Sequence, residues 1–151
     1  MHLEYLSDGP AIVVGECRRH ESGWDWEHGT AARVLKMTGR KLTWYNLFMT
    51  EPERWSALAA RKSVAAFPEH PRHLPVLLLG TRVCAAFGLD RPEWLGWYAT
   101  EAAPLALAVP HPSGLNRWWN DLDNRVNAER QLFVIGRGFR PKDKDVKGRS
   151  L

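Results

Sequence analysis

Three things are scarce or missing in this chain of 151 residues, and each absence removes a class of function. No run of about 18 apolar residues occurs, so the sequence holds no transmembrane helix and no membrane partner is expected. The first residues, Glu4 and Asp8 among them, lack the basic-then-apolar pattern of a signal peptide, and the expected location is the cytoplasm. Cysteine is limited to Cys17 and Cys84, too few for a disulfide scaffold or for a four-cysteine metal or iron–sulfur site. His70 and His73, around Pro71-Arg72, read as loop residues rather than metal ligands. Neither a metal nor a cofactor is expected.

What is present fits one compact domain. The chain is 44% hydrophobic, enough to bury a core, and no repeat or low-complexity linker marks a second domain. The net charge of +4 is compatible with a phosphate-bearing partner. Eight tryptophans suit core packing and base stacking equally well.

Apolar runs at 11–14, 42–49, 76–79 and 105–109 read as strands. Between and after them lie helical stretches at about 30–37, capped by Thr30; 50–65, capped by Thr50 with Pro52 in the first turn; 81–87; and 118–135. This alternation predicts an α/β fold: a four-stranded, mostly parallel sheet with helices on both faces, over residues 1–140. Residues 141–151 are charged and nearly free of apolar side chains, and read as a disordered tail. Ligands of such sheets bind at the carboxyl ends of the strands. The segment from Gly15 to Arg18, the surroundings of Asn46, and the loop after Val109 should therefore converge.

The loop is the most informative stretch: Pro110-His111-Pro112-Ser113-Gly114-Leu115-Asn116-Arg117. Two prolines stiffen it and hold the histidine in place. A neutral imidazole so held suits the stabilisation of a developing oxyanion. Leu115 is placed to wedge into a base stack. Arg18, Arg19, Asn116 and Arg117 are candidate phosphate or DNA contacts. Trp24 and Trp26 are candidates for stacking on a base, with core packing as the competing reading; Trp118 and Trp119 read as helix packing. Arg137, Arg140, Lys142, Lys144 and Lys147 are diluted by Asp143 and Asp145 and read as a solvated run.

The His-Pro-Ser-Gly-Leu-Asn-Arg string resembles the second signature motif of the uracil-DNA glycosylase superfamily, and Val13-Val14-Gly15-Glu16 resembles the first. The likeness spans roughly residues 10 to 136. It implies a glycosylase-like α/β fold and a monomer that binds DNA or a nucleotide, flips a base and hydrolyses its N-glycosidic bond. By position, His111 would bond the carbonyl of the leaving base, and Glu16 would orient water or steady an oxocarbenium-like sugar. Asn46, with Ser113, would read the base edge. Where the Gly-Glu branches continue Ala-Pro-Gly, this chain has Cys17-Arg18-Arg19, which makes it an outlying member. The alternative is a non-catalytic DNA- or nucleotide-binding protein that keeps the glycosylase fold.

Overall fold

In the computed structural model, which describes residues 1–18, 24–113 and 116–148, the four apolar runs lie side by side. They form β2 (Ile12–Arg18), β3 (Thr43–Thr50), β4 (Val76–Leu79) and β6 (Ala106–Val109), all parallel, in the order β3-β2-β4-β6. The registers Val14↔Leu78 and Leu78↔Ala108 carry one apolar row across the sheet. Both faces of these strands are buried, which is why they read as continuous apolar runs rather than alternating ones.

Helices cover both faces. Val13, Leu77, Leu79, Leu107 and Val109 point to one side, where they meet Ala31 and Val34 of α1 (Gly29–Thr38) and Leu132 and Ile135 of α4 (Leu122–Gly136). Ile12, Val14, Leu78 and Ala108 point to the other, against Ala60 and Val64 of α2 (Ala57–Ala65) and Val83 and Cys84 of α3 (Thr81–Ala86). The alternation of odd and even positions between the two cores follows from the two-residue period of a strand.

The expected four-stranded sheet is corrected to a mixed sheet of seven, in the order β1-β3-β2-β4-β6-β5-β7. Strand β1 (His2–Tyr5) runs antiparallel on the outer edge of β3. On the other side β5 (Trp97–Tyr98) runs antiparallel to β6 and is followed by β7 (Val146–Lys147). Two-residue strands leave no periodic signal, and edge strands tolerate polar residues. Part of the charged stretch expected to be a tail joins the sheet: Val146 is buried in the core, and Lys147 forms a salt bridge with Glu93, while residues 149–151 lie outside the described residues.

Two helix starts also move. Thr50 remains in β3, and α2 begins seven residues later, where the Ser56 hydroxyl accepts from the Ala59 N–H at 3.1 Å. Residues 117–120 form a 3₁₀ turn, after which Asp121 caps α4 by accepting from Asn124 N–H at 3.0 Å. Both caps satisfy amide donors that the first helical turn leaves unpaired.

Candidate functional site

Strands β2 and β3 extend beyond β4 and β6, and the step so formed is one wall of a cleft at the strands' carboxyl ends. Gly15, Glu16, Cys17 and Arg18 reach it from β2, Trp44 and Asn46 from β3, Leu79 from β4, and His111 from the loop after β6. Trp24, Asp25, His28 and the amino end of α1 close the other side. The cleft holds about 100 Å³. Glu16, Asn46 and His111, which lie 30 and 65 positions apart in sequence, thus share one cavity.

Asn46 is buried and sits inside β3 rather than at its end, opposite Gly15 on one side and His2 on the other. Its Oδ1 accepts from Trp44 Nε1 at 3.1 Å, and its Nδ2 donates to Glu4 Oε1 at 3.2 Å. Glu4 was not legible as a site residue. Its carboxylate, fully buried, also takes Nε and Nη2 of Arg18 at 3.1 and 2.9 Å. That hydrogen bond and the accompanying charge attraction raise the Arg18 pKa above its ordinary value. One carboxylate from the edge strand therefore fixes both an amide and a guanidinium that line the cleft. A reading of residues 2–5 as a strand would have put His2 and Glu4 on one face, but four residues of mixed polarity carry little such signal.

Gly15 is required here by space. A Cβ at this position would lie 2.7 Å from Asn46 Oδ1 and 3.3 Å from Trp44 Nε1. Gly80 does the same for the histidine: at φ +91° its absent side chain leaves room for His111, whose Cβ would be 3.2 Å from a Cβ there.

The histidine loop is pinned through one carbonyl. His111 O accepts from Ser113 N at 2.8 Å, Asn116 Nδ2 at 3.2 Å and Trp119 Nε1 at 3.1 Å. Arg33 of α1 donates to the next carbonyl, Pro112 O, at 2.8 Å. Asn116 also accepts from Trp118 N–H at 3.1 Å, capping the 3₁₀ turn. These bonds fix the backbone that carries the imidazole.

No protein-family model matches this chain, and no curated protein matches it.

The remaining expected residues divide. Trp24 lines the cleft, tilted against Trp44 at a ring separation of 4.9 Å. Trp26 stands behind it, edge-on to Trp24, Trp44 and Tyr5, and packs on the core. Ser113 and Asn116 face away from the cleft into a second, larger groove between α1 and α4. Arg117 is exposed in the 3₁₀ turn. Arg19 and Leu115 lie outside the described residues.

Asp25, Glu27 and His28 bring ligand-type atoms within 4.8 Å of one another at the rim. His28 Nδ1 lies 2.6 Å from Asp25 Oδ2, and this hydrogen bond, reinforced by the carboxylate charge, raises the imidazole pKa. Sequence reading passed over this pair because an Asp and a His three positions apart are unremarkable until a cleft is placed beside them.

Proposed function

We propose that the cleft receives a single extruded nucleobase and that the protein is a glycosylase-like hydrolase of the N-glycosidic bond. The observation that carries this reading is the convergence of Glu16, Asn46 and His111 with the Trp24 and Trp44 rings on one small cavity. Pockets for whole drug-sized ligands run to about 300–1,000 Å³. A cavity of about 100 Å³ suits one ring, with sugar and phosphate left outside. In the reaction, water adds to the anomeric carbon as the bond to the base nitrogen breaks, and the base leaves with the bonding electrons. His111 would donate to the base oxygen on which that charge collects. Glu16 would take the proton of the attacking water or steady the cationic sugar. The positive end of the α1 dipole, at Gly29 and Thr30, adds to the field favouring negative charge in the cleft.

One observation favours the non-catalytic reading: both ends of the Asn46 amide are already engaged, by Trp44 and Glu4. A base would then be held by shape and stacking, with less reading of its edge. Single-turnover strand cleavage over a panel of modified-base oligonucleotides, single- and double-stranded, separates the two. Excision of at least one base is the expected result. Tight binding with no excision across the panel would leave the binding module.

A further inference from the structure

The groove between α1 and α4 is larger than the cleft, at about 720 Å³, and its walls are predominantly cationic. Lys36 and Arg33 stand on the α1 side, and Arg125 and Arg130 on the α4 side. Glu129 is the single acid in the lining. Arg33 is committed to Pro112 O, whereas Lys36, Arg125 and Arg130 are exposed and make no salt bridge among the described residues. Between the cations lie apolar surfaces: Met37 and Val126, with the rings of Trp119 and Phe133. Phe133 is 48% exposed, and Leu122 and Val134 of the same helix are exposed with it. The end of the groove is formed by Pro112, Ser113 and Asn116, the same loop that delivers His111 to the cleft.

We infer that this groove binds a segment of single-stranded nucleic acid flanking the base held in the cleft. Cations that follow a backbone, with aromatic faces between them, are the two elements of sequence-tolerant single-strand binding. A duplex would need a broader concave surface, while a groove between two helices admits one strand. An acidic peptide would satisfy the cations but brings no bases to stack on Trp119 or on Phe133, whose ring Arg137 covers on one side at 4.7 Å. Because the loop carrying His111 borders both cavities, a strand in the groove continues towards the cleft. The direction of the inference rests on the base-binding reading, but its test does not.

The test uses the full chain and a 12-residue oligo-thymidylate, titrated by anisotropy over a range of salt. The triple variant Lys36→Gln/Arg125→Gln/Arg130→Gln should bind about 10- to 100-fold more weakly than wild type. The slope of log K against log salt should fall by about 2, since each phosphate contact on a single strand contributes roughly 0.7. Phe133→Ala should lose about tenfold, the lower range for one stacked base. Glu129→Gln should bind more tightly than wild type, an outcome that misfolding cannot imitate. Equal affinity and slope in wild type and triple variant overturn the inference and leave the cleft to its own assay. Wild-type binding that depends on the groove, with no excision on the panel, upholds the inference and sinks the excision reading. Tighter binding of poly-glutamate than of oligo-thymidylate, lost in the same triple variant, overturns it in favour of an acidic protein partner.

Discussion

The cleft and the groove share one loop and are otherwise built in opposite ways. In the cleft, Asn46, Arg18 and His28 are each tied to a neighbouring side chain, and His111 is held by a carbonyl with three donors. In the groove, three cations stand exposed on helix surfaces. A side chain fixed before a ligand arrives loses little entropy on binding and can be aimed at a developing charge. A long solvated cation gives attraction without aim. The two regions thus suit two tasks: selecting a reacting group, and holding the polymer that carries it.

The largest effect should come from separating those tasks in the cleft. His111→Ala removes the donor that the proposed reaction aims at the leaving base, worth roughly 10²–10³ in rate. Glu16→Gln keeps the shape and removes the charge, and general-base help is worth about 10²–10⁴. Both variants should lose single-turnover excision by these factors while oligo-thymidylate affinity stays within about twofold, since backbone contacts dominate it. Variants that excise at the wild-type rate would take the chemistry away from these residues. A parallel collapse of affinity would mean that the cleft, not the groove, holds the strand.

Two glycines test the same contrast through packing. A Cβ on Gly136 of α4 would lie 2.0 Å from Thr38 O and 2.9 Å from Thr38 C, both backbone atoms at the end of α1. Neither atom moves without moving a helix, so Gly136→Ala should cost about 3 kcal/mol, the upper end for overpacking. For a domain of this size that lowers Tm by roughly 6–12 °C. Gly15→Ala meets a side-chain oxygen at 2.7 Å, and the Asn46 amide can turn at the loss of its bonds to Trp44 and Glu4. Its cost should be smaller, about 1–2 kcal/mol, and its effect should fall on base selection. Calorimetry with the excision and oligo-thymidylate assays decides: the reverse order of Tm losses would show that α1 and α4 adjust more readily than the cleft.

The contrast was only half legible in the sequence. The parallel core could be read because 11–14, 76–79 and 105–109 are continuous apolar runs bounded by proline, glycine or polar residues. The meeting of Glu16, Asn46 and His111 follows from that core once strand ends are taken as the binding edge. Glu4 was invisible because its role depends on β1 pairing antiparallel with β3, a long-range contact made by four residues without a pattern. Ser113 was placed with His111 by adjacency, yet Pro112 lies between them and the chain turns from one cavity to the other. The groove itself needs the packing of α1 on α4, which no local period reports.

Glu4 offers the next, smaller test. Glu4→Gln leaves an amide of the same shape, but Arg18 loses a charge-assisted pair and Asn46 a charged acceptor. Hydrogen bonds to charged groups contribute about 1.5–3 kcal/mol, and the retained amide should recover part of this. A loss of about 1–2 kcal/mol in chemical denaturation is expected, with weakened base binding and unchanged salt slope for oligo-thymidylate. A changed slope would make Arg18 a backbone contact and join the two regions electrostatically.

The two cysteines give the mildest probe and need no loss of structure. Cys17 lines the cleft and is half-buried, whereas Cys84 sits on the buried face of α3 with no exposure, on the sheet face opposite the groove. Burial pushes the Cys84 thiol from its ordinary value of 9.0 up to about 12. Thiol reagents attack the thiolate, so native protein near pH 8 should be modified at Cys17 alone, and Cys84 should react only on unfolding. A base or nucleotide in the cleft should slow Cys17, while oligo-thymidylate held in the groove should slow it less. The buried thiol also couples to stability. Because its folded pKa is raised, its neutral form stabilises the fold fully below pH 9, and that contribution is lost as pH rises towards 12. At pH 10 the loss from this group is about 1 kcal/mol, one pH unit of linkage. Cys84→Ala should remove that increment from the alkaline slope of the denaturation free energy, and Cys17→Ala should not. If Cys84 reacts in native protein as fast as Cys17, the helix α3 face opens more readily than the cleft, and the contrast between a fixed site and an adaptable surface would have to be redrawn around α3.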